Sequence, residues 1–307
     1  MPVKTFNKHL VSIRDLDQQA IVDILDAADT FKQNPTQSQL SGKLLGMCFF
    51  EPSTRTRLSF ESAMKRLGGD VIGFSDDKMT SSQKGESLAD MIQVMSGYVD
   101  LIVLRHPLEG AAKLAVEGSN VPVVNAGDGT NEHPTQTLLD LYSIRESQGT
   151  LQGLNIGVMG DLLNGRTVHS LVKACSLFDA RLYFISPPSL ELPAEVCREL
   201  KRSSALFSFH QCVDEVIDQL DILYMTRIQK ERMLTHSDQH WPRSGYALRL
   251  ESLDRAKDNL RILHPLPRVD ELNPSIDSSP YAYYFQQAQN GIPVRQAVLT
   301  MLIGGDQ

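Results

Sequence analysis

Leu44-Leu45-Gly46-Met47-Cys48-Phe49-Phe50 runs straight into Glu51-Pro52-Ser53-Thr54-Arg55-Thr56-Arg57, and that into Leu58-Ser59-Phe60-Glu61-Ser62-Ala63-Met64-Lys65-Arg66-Leu67. The first stretch is an unbroken apolar run and predicts a buried strand. The last carries an apolar face at helical spacing and predicts a helix. Three hydroxyls and an arginine therefore lie where a strand ends and a helix begins. The first turn of a helix offers unpaired N–H groups and the positive end of the dipole, so it attracts anions. Ser53, Thr54 and Thr56 add donors there, and Arg55 adds full charge. Two readings stand: a phosphate cradle, or an N-cap at Ser53 or Thr54 followed by surface arginines.

Working outward, the same alternation recurs. Residues 16–31 read as a helix with Asp15 as its cap. Strands are predicted at 70–74, 101–104 and 121–124, helices at 88–98 and 111–116, and a polar loop at 75–82. A Gly-rich turn, 125–133, leads to a long helix from Pro134, a residue suited to the first helical position. The pattern then restarts, with strands at 154–159, 181–185, near Leu206, 222–224 and 261–263, and helices at 166–178 and 193–202. A polar stretch covers 226–245, and a helical tail from Tyr281 is expected to break at Asn290-Gly291. The fold class is α/β: two doubly wound domains, each with a central, mainly parallel sheet flanked by helices.

Bulk properties narrow the function. A chain of 307 residues has room for two domains. A net charge of −7 argues against nucleic acid or a membrane surface held by bulk charge, so an anion site must be a local basic pocket. Cys48, Cys175, Cys197 and Cys212 have no metal-like spacing and read as reduced thiols of a cytosolic protein. Neither a signal core nor a membrane-length apolar run is evident. A P-loop is missing, and Gly157-Val158-Met159-Gly160 lacks dinucleotide spacing. No cluster has metal-ligand spacing, and no Ser or Cys sits in a recognisable nucleophile elbow.

In open α/β sheets ligands bind beyond the carboxyl ends of strands. The unusual polar residues fall there: Ser53 to Thr56, Arg105, His133 to Gln136, Gly160-Asp161 with Arg166, Arg227 with Gln229, and His264 to Arg268. Gln136 lies three residues after His133, on the same helical face. Arg166 at a helix start opposes the dipole, which favours an anionic partner. Arg55, Arg105, Arg166, Arg227 and Arg268 together suit a ligand set with phosphate and carboxylates. Any one alone reads equally as a surface charge or a cap.

Ser53-Thr54-Arg55-Thr56-Arg57, His133-Pro134-Thr135-Gln136 and His264-Pro265-Leu266-Pro267-Arg268 resemble the signatures of the aspartate/ornithine carbamoyltransferase family, over essentially the whole chain. Gly165-Arg166-Thr167-Val168-His169-Ser170, Arg227-Ile228-Gln229-Lys230-Glu231-Arg232 and the His-Pro-Leu-Pro run resemble its aspartate branch. Ornithine enzymes instead carry a cysteine after that histidine and a Ser-Met-Gly loop.

The resemblance implies carbamoyl transfer from carbamoyl phosphate to the amine of L-aspartate, an early step of pyrimidine synthesis, with no cofactor and no metal. It implies a carbamoyl-phosphate domain of residues 1–134, joined by the C-terminal helix at about 291–307, and an aspartate domain of residues 135–290. Phosphate goes to Ser53, Thr54, Arg55, Thr56 and Arg105; the carbonyl oxygen to Thr56, Arg105 and His133; the carbamoyl nitrogen to Gln136. Aspartate carboxylates go to Arg166, Arg227 and Gln229, and the Leu266 backbone, before a cis bond to Pro267, positions the reactants. Ser81 and Lys84, read alone as polar loop residues, are implied to reach a neighbouring subunit's active site, so a homotrimer with shared sites is expected, and regulatory chains are possible partners. Thr56, Arg105 and His133 would then stabilise an oxyanion as preorganised donors. A carbamoyltransferase for another amine, and a silent binding subunit, are the competing readings.

Overall fold

The computed structural model describes residues 8–76, 78, 80–228 and 247–304. Two compact units divide the chain: Met1–Leu139 with Asn290–Gln307, and Asp140–Gln289.

In the first unit a four-stranded sheet runs β2-β1-β3-β4, made of β1 (Leu44–Phe49), β2 (Asp70–Phe74), β3 (Leu101–His106) and β4 (Val123–Asp128). Every neighbouring pair is parallel. The strands are connected by α2 (Thr54–Arg66), α3 (Leu88–Ser96) and α4 (Ala111–Gly118). β1 is apolar throughout because both its faces are covered: Leu45, Met47, Cys48 and Phe49 are buried. Cys48 packs with Ile92, Ile102, Leu104, Ala112, Ala115 and Val123 in one core.

α1 (Gln18–Gln33) buries Ile21, Ile24, Leu25, Ala28 and Phe31. Its cap is Asp17, whose carboxylate accepts the Ala20 N–H at 2.7 Å. The expected cap, Asp15, is used one turn earlier. It accepts the Ser12 N–H at 3.0 Å and closes a short 3-10 turn with a capping box.

The second unit holds a five-stranded parallel sheet, β7-β6-β5-β8-β9. Its strands are β5 (Asn155–Met159), β6 (Arg181–Ile185), β7 (Phe207–His210), β8 (Ile222–Met225) and β9 (Arg261–Leu263). α6 (Arg166–Ser176) and α7 (Ala194–Arg202) lie between strands in the chain. Tyr183, Ile185, Leu223, Met225, Ile262 and Tyr284 belong to one buried cluster.

The unit boundary falls inside two helices, α5 (Pro134–Gln148) and α8 (Tyr284–Gly304). α8 is continuous where a break at Asn290-Gly291 was expected. Gly291 does not stop the helix; it lies under the Arg295 side chain, whose Nη1 a Cβ there would meet at 2.2 Å. Arg295 is 2% exposed, donates to the Gly291 carbonyl at 3.1 Å and lies 4.9 Å over the Phe60 ring. Asn290 accepts from Lys32 Nζ at 3.0 Å. Among the described residues no helix is long and apolar enough to cross a membrane.

Candidate active site

Strand order decides where each unit can hold a ligand. In the first sheet, β1 is followed outward by β2 on one side, while β3 and β4 lie on the other. The switch point therefore lies between β1 and β3. The carboxyl ends of those strands carry Ser53 to Thr56 and Arg105, so the sequence-chosen residues meet at the crevice a doubly wound sheet provides. Phe49 and Arg105 are register partners, and the Phe50 N–H donates to the Arg105 carbonyl at 2.9 Å.

Helix α2 begins at Thr54 rather than at Leu58. Ser53 is its N-cap residue, with extended backbone, yet its side chain makes no capping hydrogen bond. The simple cap reading is thus not the one adopted. Thr56 is buried, and Arg55 is exposed at the helix start. Although Arg55 as a whole is exposed, partial desolvation of its guanidinium holds the pKa below its ordinary value.

Arg105 lies where the β3–β4 register shifts, between Leu104 and His106. A bulge re-aims a side chain. Arg105 Nη1 donates to the Ala126 carbonyl at 3.1 Å, and Nη2 lies 2.7 Å from Glu51 Oε1. Glu51 was not singled out in the sequence; its place just before a hydroxyl-rich helix start is the signal that could have marked it.

His133 precedes the first residue of α5, Pro134, and is 4% exposed. Its carbonyl accepts the Gln136 N–H at 3.0 Å, and Gln136 is also buried. Two buried carboxylates shape the turn before it. Asp128 accepts from Asn125 Nδ2 at 2.8 Å and the Gly110 N–H at 3.0 Å. Glu132 accepts from the Ser12 hydroxyl at 3.0 Å, the Ile13 N–H at 2.8 Å and Arg14 Nη1 at 3.2 Å. The sequence reading missed both; the partners of Glu132 lie about 120 residues away in the chain. Ser81 and Lys84 lie in an exposed 3-10 turn, Ser81–Lys84, after the outer strand β2.

In the second sheet the switch point lies between β5 and β8. Gly160 follows β5 with φ +124°, and a Cβ there would sit 2.1 Å from the Thr226 carbonyl. The backbones leaving β5 and β8 therefore touch, which only glycine permits. Arg166 opens α6, behind a Gly165 cap that has no side chain to spend on the helix. Arg227 is half-buried, two residues past β8. Gln229 lies outside the described residues.

The turn after β9 is fixed by buried polar groups. The Leu266–Pro267 bond is cis. The Leu266 N–H donates to His264 Nδ1 at 2.8 Å, which leaves Nε2 to donate to Glu271 Oε1 at 2.8 Å. The His264 N–H donates to Gln287 Oε1 at 2.7 Å, and Gln287 Nε2 to Asp140 Oδ1 at 2.6 Å. Asp140 also accepts the Tyr224 hydroxyl at 2.9 Å. Arg268, grouped above with the anion-binding arginines, is instead ion-paired with Asp277 and stacked 5.5 Å from the Tyr284 ring centre. Its charge is met within its own turn.

Two family signatures cover the chain. The carbamoyl-P binding domain of the aspartate/ornithine carbamoyltransferases matches residues 8–146, and their Asp/Orn binding domain matches residues 152–302. The chain belongs to the aspartate/ornithine carbamoyltransferase family. Among its relatives is an aspartate carbamoyltransferase catalytic subunit 2 of Shewanella halifaxensis, 53% identical over 97% of this chain and 96% of that one. Similar solved structures include the catalytic subunit of M. jannaschii aspartate transcarbamoylase, with TM-score 0.91, 49% identity and coverage of 98% and 99% of the two chains. Another is the Trypanosoma cruzi aspartate transcarbamoylase in complex with carbamoyl phosphate and aspartate, with TM-score 0.88, 33% identity and coverage of 97% and 98%. Among the described residues no group of three or more His, Cys, Asp or Glu is placed to hold a metal ion.

Proposed function

We infer that this chain transfers the carbamoyl group of carbamoyl phosphate to the amine of L-aspartate, giving N-carbamoyl-L-aspartate and phosphate. One observation carries the reading: Ser53 to Thr56 and Arg105 lie beyond the switch point of the first sheet, and Arg166 and Arg227 beyond that of the second. The relatives, named for aspartate and caught with both substrates, support the same reaction.

Ser53, Thr54, Arg55, Thr56 and Arg105 take the phosphate of carbamoyl phosphate. The α2 dipole and its first N–H groups add to their charge. Thr56, Arg105 and His133 donate to the carbonyl oxygen, and Gln136 holds the carbamoyl nitrogen. Arg166, Arg227 and Gln229 take the aspartate carboxylates; this set suits an acidic acceptor and not ornithine. The Leu266 carbonyl, in the turn closed by Pro267, orients the amine.

The amine attacks the carbamoyl carbon, and a tetrahedral intermediate with an oxyanion forms. Donors already in place stabilise that charge without reorganising. The carbon–oxygen bond to phosphate then breaks, and phosphate leaves with the amine proton. Aligning two anionic substrates supplies much of the remaining rate enhancement.

Ser81 and Lys84 serve the active site of a neighbouring copy in a homotrimer. Their exposure on a turn beside the outer strand suits that role. The catalytic-subunit name of the relatives leaves a place for regulatory chains. Purified protein given carbamoyl phosphate and a panel of amines tests the central claim: aspartate is expected to yield phosphate and a ureido product, and no turnover with aspartate overturns it.

A further inference from the structure

A second constellation stands at the outer edge of the five-stranded sheet. β7 is the last strand in its order, and its carboxyl end carries Ser208 and His210 on one face. Ser208 Oγ lies 2.8 Å from His210 Nε2. His210 Nδ1 lies 3.1 Å from Glu215 Oε2. The other oxygen of Glu215 accepts the Gln211 N–H at 3.2 Å and the Cys212 N–H at 3.1 Å, so the carboxylate is fixed by backbone. The His210 ring lies 5.9 Å from the Tyr183 ring, tilted by 32°. Hydroxyl, imidazole and carboxylate are thus in line, each oriented by the next, which is the arrangement that makes serine nucleophilic.

We propose that Ser208, His210 and Glu215 form a second, nucleophilic site that accepts acyl groups from small carboxylic esters. The Ser208 hydroxyl proton passes to His210 Nε2 as Oγ bonds to the ester carbonyl carbon. The ester carbon–oxygen bond then breaks, and the alcohol leaves with the proton from His210. Water repeats the exchange at the acyl-serine, releasing the carboxylic acid and restoring the hydroxyl. Glu215 is a positioning residue that keeps His210 Nδ1 protonated and Nε2 free to accept. Its carboxyl is held below its ordinary range, first by the hydrogen bond from His210.

Pairing supplies a donor for the oxyanion. The Leu206 and His210 carbonyls accept from Leu182 and Ser186 of the neighbouring strand side, at 2.9 and 3.1 Å. Backbone direction alternates along a strand, so the N–H of Phe209, next to Ser208, faces the open edge. In α/β-hydrolases an N–H from the residue after the nucleophile serves as an oxyanion donor. His210 side-chain exposure of 18% leaves the site reachable.

The test uses the full-length protein, a fluorophosphonate probe and p-nitrophenyl acetate. Wild type is expected to be phosphonylated at Ser208, read by peptide mass spectrometry, and to release p-nitrophenol. Ser208→Ala abolishes both while carbamoyltransferase activity stays unchanged. His210→Asn slows labelling roughly 10²-fold or more, the usual contribution of a general base. Glu215→Gln keeps an oxygen for the two N–H groups, so a purely capping role leaves labelling at full rate; the proposal requires a fall of about tenfold or more. Unlabelled wild type, or Ser208→Ala labelled as fast as wild type, overturns the proposal.

Discussion

The Glu51 carboxylate lies 2.7 Å from the Arg105 guanidinium, at the switch point of the first sheet. An internal anion therefore occupies the arginine assigned to phosphate. Both groups are largely buried, so the pair is poorly screened. Arg105 keeps its second anchor, the Ala126 carbonyl, when Glu51 is neutralised. Glu51→Gln is expected to tighten inorganic phosphate binding roughly 3- to 10-fold, about 1 kcal/mol. Titration calorimetry reads this directly; weaker binding shows that Glu51 props Arg105 in place instead of competing for it.

Thr56 is the buried member of the α2 start and is given two duties, phosphate contact and oxyanion contact. Uniform binding shifts KM alone, whereas an interaction that strengthens in the transition state shifts kcat. Thr56→Ala is expected to lower kcat by about 10²–10³ and also to raise KM for carbamoyl phosphate. A change confined to KM refutes the double role.

Much of the fold was legible because apolar runs mark parallel strands. Arg261–Leu263 matches its expected span, and Ile222–Met225 extends the expected one by a residue. Boundaries failed where a side-chain contact overrode the local signal. Asn290-Gly291 looks like a helix stop, but the helix runs on, with the Arg295 side chain lying over Gly291 and on Phe60. Asp15 looks like a cap, but Ser12 takes it first. Of the proposed site, Ser53 to Thr56, Arg105, His133 and Arg166 are picked out from strand ends and helix starts, and the fold sets them at such places. The supporting groups stayed hidden: nothing local tells that Glu132 receives Ser12 and Ile13, or that Arg268 is met by Asp277.

Glu271 makes the turn after β9 sensitive to acid. Burial lifts its carboxyl pKa, but donors from His264, its own backbone and Val269 outweigh this and hold it below the ordinary value. A carboxylate with a depressed folded pKa adds stability above its unfolded pKa, and that contribution is lost as pH falls through the folded value. Glu271→Gln is expected to cost about 1–3 kcal/mol near neutral pH, as loss of a buried charged hydrogen bond does. The gap to wild type should persist down to about pH 4.3 and close below it. Urea unfolding at a series of pH values measures it; a gap that widens in acid contradicts the assignment.

Gly160 sits where the chains leaving β5 and β8 meet, beside Arg227, the residue proposed above for an aspartate carboxylate. A methyl there would overlap the Thr226 carbonyl, immediately before Arg227, and the backbone sits at φ +124°. Gly160→Ala therefore forces β5 and β8 apart or strains the turn, at a cost of roughly 1–3 kcal/mol. Displacement of Arg227 is expected to raise KM for aspartate at least tenfold, with KM for carbamoyl phosphate near wild type. Equal changes in both constants point to general unfolding instead.

The proposed sharing of active sites between copies has a consequence in mixtures. Arg105→Ala removes the phosphate ligand proposed for a subunit's own site, and Lys84→Ala the one proposed for its neighbour's. Each variant alone is expected to be nearly inactive. Random reassortment of the two into closed trimers pairs an intact Arg105 with an intact Lys84 in roughly a quarter of sites. Unfolding and refolding a 1:1 mixture should thus recover about a quarter of wild-type activity. Recovery no greater than the mean of the two variants shows that Lys84 acts within its own subunit or not at all.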